Sequence, residues 1–248
     1  MANIKVEHRD DGISIFTINR PERRNAISAQ TAVDLQNAFQ EFDKNNDQKV
    51  AIITGAGDKA FSAGADVDTL ESLELWRCLP GFGIDTEKPI IAAVSGWCVG
   101  GGLVITMLSD LAVAADNTQF SYPEGRLGLT QGMIASLAAR IPHKAAMEIM
   151  LLGLPMNAQR AYEVGLVNRV VPVGQQLEVA IEMAQYMCTL APLVLKTLKR
   201  FAATVIAEGP TEQMVRTQAQ IDTINKSADF QEGMNAFKEK RTPKFTGK

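Results

Sequence analysis

The sequence predicts an α/β fold with parallel strands, and three observations support this. Short apolar runs typical of strands buried on both faces occur at residues 50–54, 90–94 and 111–115. Residues 66–77 and 102–109 carry apolar side chains at helical spacing, so strands and helices alternate as in βαβ units. Further along the chain, strand patterns become rare and helical patterns follow one another.

The N-terminal part predicts a β-hairpin and one long helix. Residues 4–8 and 13–18 are rich in apolar side chains, and the turn sequence Asp10-Asp11-Gly12 lies between them. Ser28 is a suitable helix N-cap, and apolar residues follow it at helical spacing, namely Ala32, Leu35, Phe39 and Phe42. The polar run Asn45-Asn46-Asp47 is expected to end this helix.

The C-terminal part predicts a series of helices. They cover residues 144–152, 158–164, 175–190, 192–207 and 211–226. We therefore divide the chain into a core, residues 1–190, and a helical C-terminal region, residues 191–248.

Composition and charge argue against several classes of protein. The net charge of −3 is unlike the basic excess of nucleic-acid-binding proteins, so no nucleic-acid partner is expected. Three widely spaced cysteines and two histidines form neither a disulfide framework nor a zinc-binding pattern. No metal is therefore expected, and a reducing compartment is indicated. The N-terminus does not resemble a signal peptide, and no apolar run is long enough to span a bilayer. We expect a cytoplasmic protein with no membrane partner.

Two glycine-containing loops are the strongest candidates for a binding site. Phe61-Ser62-Ala63-Gly64-Ala65-Asp66 follows the first buried strand, and Gly96-Trp97-Cys98-Val99-Gly100-Gly101-Gly102 follows the second. Such loops leave backbone N–H groups free at the start of a helix, where small side chains let a ligand approach. The glycine spacing does not match a dinucleotide fingerprint, and no Gly-Lys-Ser/Thr phosphate loop occurs. Ordinary strand-to-helix turns or close helix–strand packing are the alternative interpretations.

Glu124 is the strongest candidate for acid–base chemistry. It lies in Phe120-Ser121-Tyr122-Pro123-Glu124-Gly125, with apolar residues on both sides. A carboxyl group held against apolar surface has a raised pKa and can exchange protons near neutral pH. The alternative is a solvated loop residue. A serine-hydrolase interpretation is weak because no Gly-x-Ser-x-Gly occurs, and Cys98 has no evident base beside it.

Taken in this order, the segments resemble the crotonase family, also called the enoyl-CoA hydratase/isomerase family. The resemblance covers nearly the whole chain. It includes Asn19-Arg20-Pro21-Glu22-Arg23-Arg24-Asn25-Ala26, both glycine loops, Lys88-Pro89-Ile90-Ile91-Ala92-Ala93-Val94, Gly165-Leu166-Val167 and Ala236-Phe237-Lys238-Glu239-Lys240-Arg241. It implies a crotonase-like spiral of ββα units and a helical C-terminal region that forms homotrimers, which often pair into hexamers.

The resemblance also implies a substrate and the residues that meet it. The substrate is an acyl-CoA thioester, so coenzyme A enters as part of the substrate and no separate cofactor is expected. The N–H groups of Ala65 and Gly101 would form an oxyanion hole for the thioester enolate, with Glu124 as the acid–base. The other residues expected to contact the substrate or its coenzyme are Arg24, Ala26, Ala63, Gly64, Asp66, Val104, Gly132 and Lys240. The core would bind and transform the substrate, and the C-terminal region would mediate oligomerisation and form part of the coenzyme site.

The sequence departs from the family pattern at the second carboxylate. Two-base hydratases have glutamate two positions after the triple glycine, whereas this chain has Val104 there. Of the usual Pro-Gly-x-Gly-Gly segment, only Gly132 is kept. Hydration uses two carboxylates to hold and activate water, but moving a double bond needs only one base and an oxyanion hole. We therefore predict enoyl-CoA isomerisation with Glu124 as single acid–base. The alternatives are a hydratase or dehydratase acting on an unusual acyl group, and a weakly catalytic acyl-CoA-binding protein.

Overall fold

The structure, a computed structural model, describes residues 2–248 apart from the side chain of residue 219, and its strands form two sheets. In chain order the strands are β1 (Ile4–His8), β2 (Ile13–Ile18), β3 (Val50–Gly55), β4 (Ala60–Ser62), β5 (Ile90–Val94), β6 (Trp97–Val99), β7 (Leu111–Ala115), β8 (Gln119–Ser121), β9 (Met156–Asn157) and β10 (Arg169–Val171). The larger sheet has the order β1-β2-β3-β5-β7-β10, and the smaller sheet has the order β4-β6-β8-β9.

The helices lie between the strands and in the C-terminal part. They are α1 (Ala29–Lys44), α2 (Gly101–Leu108), α3 (Glu124–Leu127), α4 (Leu137–Arg140), α5 (His143–Leu152), α6 (Ala158–Glu163), α7 (Gln176–Cys188), α8 (Pro192–Val205), α9 (Pro210–Asn225) and α10 (Ala228–Glu239). Short 3-10 helices occur at Pro21–Arg23, Val67–Ser72 and Leu75–Cys78.

The predicted hairpin and first helix are confirmed. Strands β1 and β2 pair antiparallel, with Ile4 opposite Ile18. The Ser28 hydroxyl accepts a hydrogen bond from the Thr31 N–H at 3.1 Å, which satisfies one of the free donors at the start of α1. Helix α1 ends at Lys44, next to the polar run that was expected to end it.

The predicted parallel strands are also confirmed, and helices cover both faces of the larger sheet. Strands β2, β3, β5, β7 and β10 run parallel to one another. On one face Phe16 of β2 stacks on Phe39 of α1, with ring centroids 4.0 Å apart. On the other face Ala180 and Ala184 of α7 pack with Ile52 and other buried residues of the sheet. Burial on both faces explains why these strands are continuous apolar runs.

A repeated arrangement of two strands and a helix builds the second sheet. Strands β3, β5 and β7 of the larger sheet are each followed within a few residues by a three-residue strand, respectively β4, β6 and β8. These short strands pair parallel with one another to form the smaller sheet. Strand β6 leads into α2, and β8 leads into α3. The short strands were not predicted, because three residues are too few to show an alternating pattern.

The predicted helix at 66–77 is wrong. The segment instead forms the 3-10 helices Val67–Ser72 and Leu75–Cys78, with extended backbone at Leu73. Leu73 and Leu75 are both buried. A single α-helix would point two residues of this spacing about 200° apart, so the chain breaks between the two short helices to bury both.

The C-terminal helices follow the prediction closely, with α10 added. Helices α7 and α8 meet at an angle of 112°. Within the described part of the chain, no single helix is long and apolar enough to cross a membrane, although this bent pair meets the same test of length and composition. None of the residues of α8 is buried. The boundary at residue 190 between a core and a C-terminal region stays a prediction.

Candidate active site

The smaller sheet brings the three predicted chemical features to one edge. Strand β6 pairs parallel with both β4 and β8, so the carboxyl ends of the three strands lie side by side. The first glycine loop follows β4, the triple glycine follows β6, and Glu124 follows β8. Features that are about 35 residues and then about 25 residues apart in sequence therefore meet in space.

Glycine is required where the two loops touch. A Cβ atom on Gly64 would lie 2.8 Å from the Val99 carbonyl oxygen and 3.4 Å from the Gly101 nitrogen. A Cβ atom on Gly100 would lie 2.8 Å from Glu124 Oε1 and 3.9 Å from the Gly64 Cα. Both glycines also have positive φ, +85° and +52°. The two loops and the Glu124 carboxyl group therefore form a single contact region.

Two backbone N–H groups are left free in this region. A bridge between Ile27 and Ala65 uses the Gly64 carbonyl and the Asp66 N–H, so the Ala65 N–H is not used by it. Gly101 is the first residue of α2, and the N–H groups at the start of a helix have no carbonyl partner within that helix. Among the described residues, neither N–H has a hydrogen-bond partner in the loops or turns. The start of α2 also favours negative charge through the helix dipole.

Asn25 ties the first glycine loop to the segment that precedes α1. Its backbone has φ of 55°, in the left-handed region that asparagine tolerates. Its side-chain nitrogen donates to the carbonyls of Ala56 and Ala60, at 2.9 and 2.7 Å. The Ser62 hydroxyl donates to the Asn25 carbonyl at 2.8 Å and accepts from the Gly64 N–H at 3.1 Å. This network holds the first glycine loop against the segment at Asn25.

Asp66 is held in an ion pair rather than facing open space. Arg20 Nη1 lies 2.8 Å from its carboxylate and Arg23 Nη2 lies 3.1 Å from it. Burial by itself would raise the pKa of Asp66, but hydrogen bonds from Arg20 and Arg23 outweigh it and hold the pKa below its usual value. Contact of Asp66 with the coenzyme stays a prediction.

Glu124 is a half-buried acid with one buried, unpartnered oxygen among the described residues. It begins α3, and its Oε2 atom is buried and has no hydrogen-bond partner among the described residues. Burial raises the pKa of Glu124 to about 7, although a backbone hydrogen bond opposes the shift. The loop is closed by a hydrogen bond of 3.2 Å between the hydroxyls of Tyr122 and Thr130. A carboxyl group with this pKa can both accept and donate a proton near neutral pH.

The structure places Val104 and Gly132 in packed surroundings. Val104 is 1% exposed and belongs to the main hydrophobic cluster. Gly132 has φ of +72°, and the Thr211 hydroxyl of α9 occupies the space that a Cβ would need. Among the described residues, Glu124 Oε2 is the one buried side-chain atom that lacks a hydrogen-bond partner.

The remaining predicted residues lie around the first loop, except for Lys240. Ala26 is buried and Ala63 is half-buried, and the Ala63 N–H donates to the Arg24 carbonyl at 2.9 Å. The exposed Arg24 lines a groove of about 340 Å³ together with Lys59, Gly96 and Trp97. Lys240 is exposed at the end of α10, and its contact with the coenzyme stays a prediction.

Lys59 and Trp97 were missed as candidate site residues. Lys59 comes just before the first glycine loop and Trp97 lies inside the second, so both were close to a feature already identified. Both line the groove that contains Arg24, together with Asp58 and Asn117.

Comparisons with known proteins agree on one family. A family model described as Enoyl-CoA hydratase/isomerase matches residues 8–248. Carnitinyl-CoA dehydratase of Salmonella typhi is 35% identical over an alignment of 256 residues. The alignment covers 97% of this chain and 97% of that protein. The Escherichia coli protein of the same name is 34% identical over 255 residues, with 97% of each chain covered.

Solved structures agree with the fold. The crystal structure of carnitinyl-CoA hydratase from Mycobacterium avium has a TM-score of 0.76 and 33% identity, and the match covers 99% of each chain. That of enoyl-CoA hydratase from Mycobacterium tuberculosis has a TM-score of 0.76 and 35% identity, also with 99% of each chain covered. These matches confirm the predicted crotonase-like α/β fold.

Proposed function

This chain belongs to the enoyl-CoA hydratase/isomerase family, and we propose that it adds water to an enoyl-CoA thioester, or removes water from the hydroxyacyl-CoA, with Glu124 as its single acid–base. Its family makes it an acyl-CoA enzyme of the crotonase type. The specific reaction and the roles of individual residues are part of the proposal.

The observation that carries the proposal is the position of the Glu124 carboxyl group. Its Oε1 atom adjoins Gly100, beside the free N–H groups of the two loops, while Oε2 is buried without a partner. A buried oxygen without a partner costs free energy, and a substrate proton or a water would satisfy it. A pKa of about 7 suits a group that must gain and lose a proton in each turnover.

One carboxyl group is sufficient to balance the reaction. In hydration, the Glu124 carboxylate removes a proton from water as the water oxygen bonds to the β-carbon. The electron pair of the double bond moves toward the thioester carbonyl, whose oxygen accepts hydrogen bonds from the Ala65 and Gly101 N–H groups. The protonated Glu124 then returns a proton to the α-carbon, which regenerates the carboxylate. Dehydration is the same sequence in reverse.

The relatives favour hydration and dehydration over the isomerisation predicted from the sequence. The names of the similar proteins specify carnitinyl-CoA dehydratase, carnitinyl-CoA hydratase and enoyl-CoA hydratase. Isomerisation is not specifically supported by them. It stays the second candidate because Val104 replaces the second carboxylate that would help to hold a water.

The groove beside the first loop suits the coenzyme portion of the substrate. Arg24 and Lys59 offer two cations against the single carboxylate of Asp58, and Trp97 offers an exposed ring. Two cations would pair with phosphates of coenzyme A, and an aromatic face would pack against its adenine. The thioester would then reach Gly64 and Gly101 along the first loop. No resident metal or cofactor is part of the proposed reaction.

We also expect this chain to act as a cytoplasmic homo-oligomer. Helix α8 exposes a stripe of apolar residues, namely Val194, Leu198, Phe201 and Val205. Exposed apolar stripes of this size are typical of protein–protein contacts. The C-terminal region, residues 191–248, is therefore our candidate for the trimer contact.

The test is product analysis with three substrates: crotonyl-CoA, carnitinyl-CoA and a 3-enoyl-CoA. Hydration adds the mass of one water to crotonyl-CoA, dehydration removes it from carnitinyl-CoA, and isomerisation leaves the mass of the 3-enoyl-CoA unchanged. We expect hydration or dehydration to be faster than isomerisation. Glu124→Gln should lower kcat by about 10²-fold to 10⁴-fold, which is the usual contribution of a general acid–base.

A matched control separates loss of chemistry from loss of structure. Glu41→Gln removes an exposed carboxylate on α1 that pairs with Lys44, and it should leave kcat unchanged. Rapid conversion of the 3-enoyl-CoA into a product of the same mass would favour isomerisation, the second candidate. Tight binding of all three substrates without turnover would overturn the enzymatic proposal and leave an acyl-CoA-binding protein.

A further inference from the structure

Asp66 places a negative charge directly after the proposed oxyanion donor, Ala65. Its carboxylate is 3% exposed and lies 2.8 Å from Arg20 Nη1. The Arg20 side chain is itself only 17% exposed. Because solvent is largely excluded, the charges of this pair are poorly screened by water and affect nearby groups strongly.

Arg20 contacts residues on both strands of the Ile27–Ala65 bridge, which positions the Ala65 N–H. Arg20 Nη1 donates to the Ala26 carbonyl at 2.7 Å as well as contacting Asp66. Between these two contacts, the Ile27 N–H donates to the Gly64 carbonyl at 2.7 Å, and the Asp66 N–H donates to the Ile27 carbonyl at 2.8 Å. One guanidinium group therefore joins the segments on either side of the donor.

Arg23 adds a second, weaker contact. Its Nη2 lies 3.1 Å from Asp66 and also pairs with Asp68, and its side chain is largely exposed. An exposed pair contributes little, because water screens it. Arg20 is therefore the main counter-ion of Asp66.

We propose that Arg20 and Asp66 are positioning residues for the oxyanion hole: Arg20 fixes the Ala65 N–H toward the thioester and neutralises a carboxylate that would otherwise oppose the enolate charge. This inference rests on the proposed function, since it assigns a role within the same site. It differs from the sequence prediction, in which Asp66 contacts the substrate directly.

Charge makes the inference testable. Removing Arg20 alone leaves the Asp66 carboxylate, one residue after the proposed donor, with only the exposed Arg23 as counter-ion among the described residues, and its remaining negative charge would repel the forming oxyanion. Removing the Asp66 charge as well removes this repulsion. Arg20→Met combined with Asp66→Asn should therefore be more active than Arg20→Met alone, although it lacks one more native group.

The experiment measures turnover and the polarisation of a bound chromophore. Cinnamoyl-CoA, an aryl enoyl thioester, absorbs at longer wavelength when hydrogen bonds polarise its carbonyl group. Bound to the native protein, it should show this red shift. In Arg20→Met we expect a smaller shift and a kcat about 10-fold to 100-fold lower, with KM changed much less, because misplacement of a catalytic group by about 1 Å has effects of this size.

Further variants complete the comparison. The double variant should recover at least about fivefold in kcat and part of the red shift, and Asp66→Asn alone should retain more activity than Arg20→Met. Arg9→Gln breaks an ion pair with Asp11 on the N-terminal hairpin and serves as the control, with native shift and turnover expected. If Arg20→Met does not fold, Arg20→Lys keeps the charge without the planar fork and should show an intermediate shift.

The outcomes distinguish this inference from the function on which it rests. A folded Arg20→Met with native red shift overturns the inference, as does a double variant no better than Arg20→Met. A double variant worse than either single variant assigns Asp66 a direct contact with substrate instead. If cinnamoyl-CoA bound to the native protein shows no red shift, the proposed oxyanion hole is contradicted, and the inference is contradicted with it.

Discussion

At the scale of single residues, Glu124 is held where its neutral form is favoured. Its pKa is raised from 4.5 to about 7, mainly because burial disfavours the charged carboxylate. The folded protein therefore binds this proton more tightly than the unfolded chain. Stability from this group is fully present below about pH 4.5 and is lost as the pH rises through about 7. A site suited to proton transfer thus reduces stability at neutral pH.

Glu124→Gln should therefore stabilise the protein, and more at high pH than at low pH. We expect a gain on the order of 1–2 kcal/mol near pH 8 and close to none near pH 5, after allowing for partial exposure of the group. Urea denaturation at the two pH values measures both. The exposed Glu41→Gln should change stability by no more than about 0.5 kcal/mol at either pH. A gain that is equal at both pH values would mean that Glu124 ionisation is not its cause.

The sequence could predict single residues where a local rule applies. Positive φ and close backbone approach explain the glycines of both loops, and apolar neighbours explain why Glu124 was identified. The ion pair of Asp66 could not be predicted in the same way. Its partner Arg20 is far from it in sequence, and nothing in the local pattern shows that the two are 2.8 Å apart.

At the scale of elements, Lys88 stabilises the end of α1. Its side chain is buried, and Nζ donates to the carbonyls of Phe42 and Asn45, at 2.7 and 2.8 Å. It also lies 4.6 Å from the centre of the Phe42 ring. A cation at a helix C-terminus satisfies carbonyls that have no partner within the helix. These contacts give a structural role to a lysine that the sequence analysis named only as part of the family resemblance.

Lys88→Met should destabilise the protein without altering the active site. The substitution removes two hydrogen bonds from a charged donor and leaves the carbonyls of Phe42 and Asn45 without that donor. We therefore expect a loss of about 2–4 kcal/mol in the free energy of unfolding. Lys44→Met, which removes an exposed lysine near the same helix end, should cost no more than about 0.5 kcal/mol. Urea denaturation compares the two. Equal losses would show that the contacts of Lys88 do not stabilise α1.

Longer strands and helices were easier to predict than short ones. Strands of five or six residues and helices of ten or more contain enough positions to show a period, and these were placed within a few residues, except for α10, which was not predicted. The strands at Ala60–Ser62, Trp97–Val99 and Gln119–Ser121 contain three residues each. They are stabilised by pairing with one another, which is a property of the tertiary structure.

At the scale of the whole molecule, the second sheet creates the candidate site. Each of its parallel strands ends at one chemical feature, and their pairing places Gly64, Gly100 and Glu124 in contact. The individual features could be read from the sequence, but their contact required the family resemblance. No hydrophobic period indicates the order of strands in a sheet.

Helix α8 carries the last prediction, which concerns assembly. Val194, Leu198, Phe201 and Val205 lie on one face of this helix at spacings of four, three and four residues. Leu198 and Phe201 are each 59% exposed, and Val205 is 82% exposed. Removing such side chains from water stabilises an interface by about 25 cal/mol per Å² of apolar surface. We therefore expect the native protein to form a homotrimer through this stripe.

Leu198→Asp combined with Phe201→Asp should dissociate that assembly. The two carboxylates would be buried without partners at the contact, which costs several kcal/mol for each charge. Light scattering coupled to size-exclusion chromatography should show three times the chain mass for the native protein and the mass of one chain for the variant. Lys196→Glu changes the net charge equally on the same helix, two residues after Val194 and so about 200° around the helix from it, and should leave the mass unchanged. A native protein that elutes with the mass of a single chain would contradict the predicted contact.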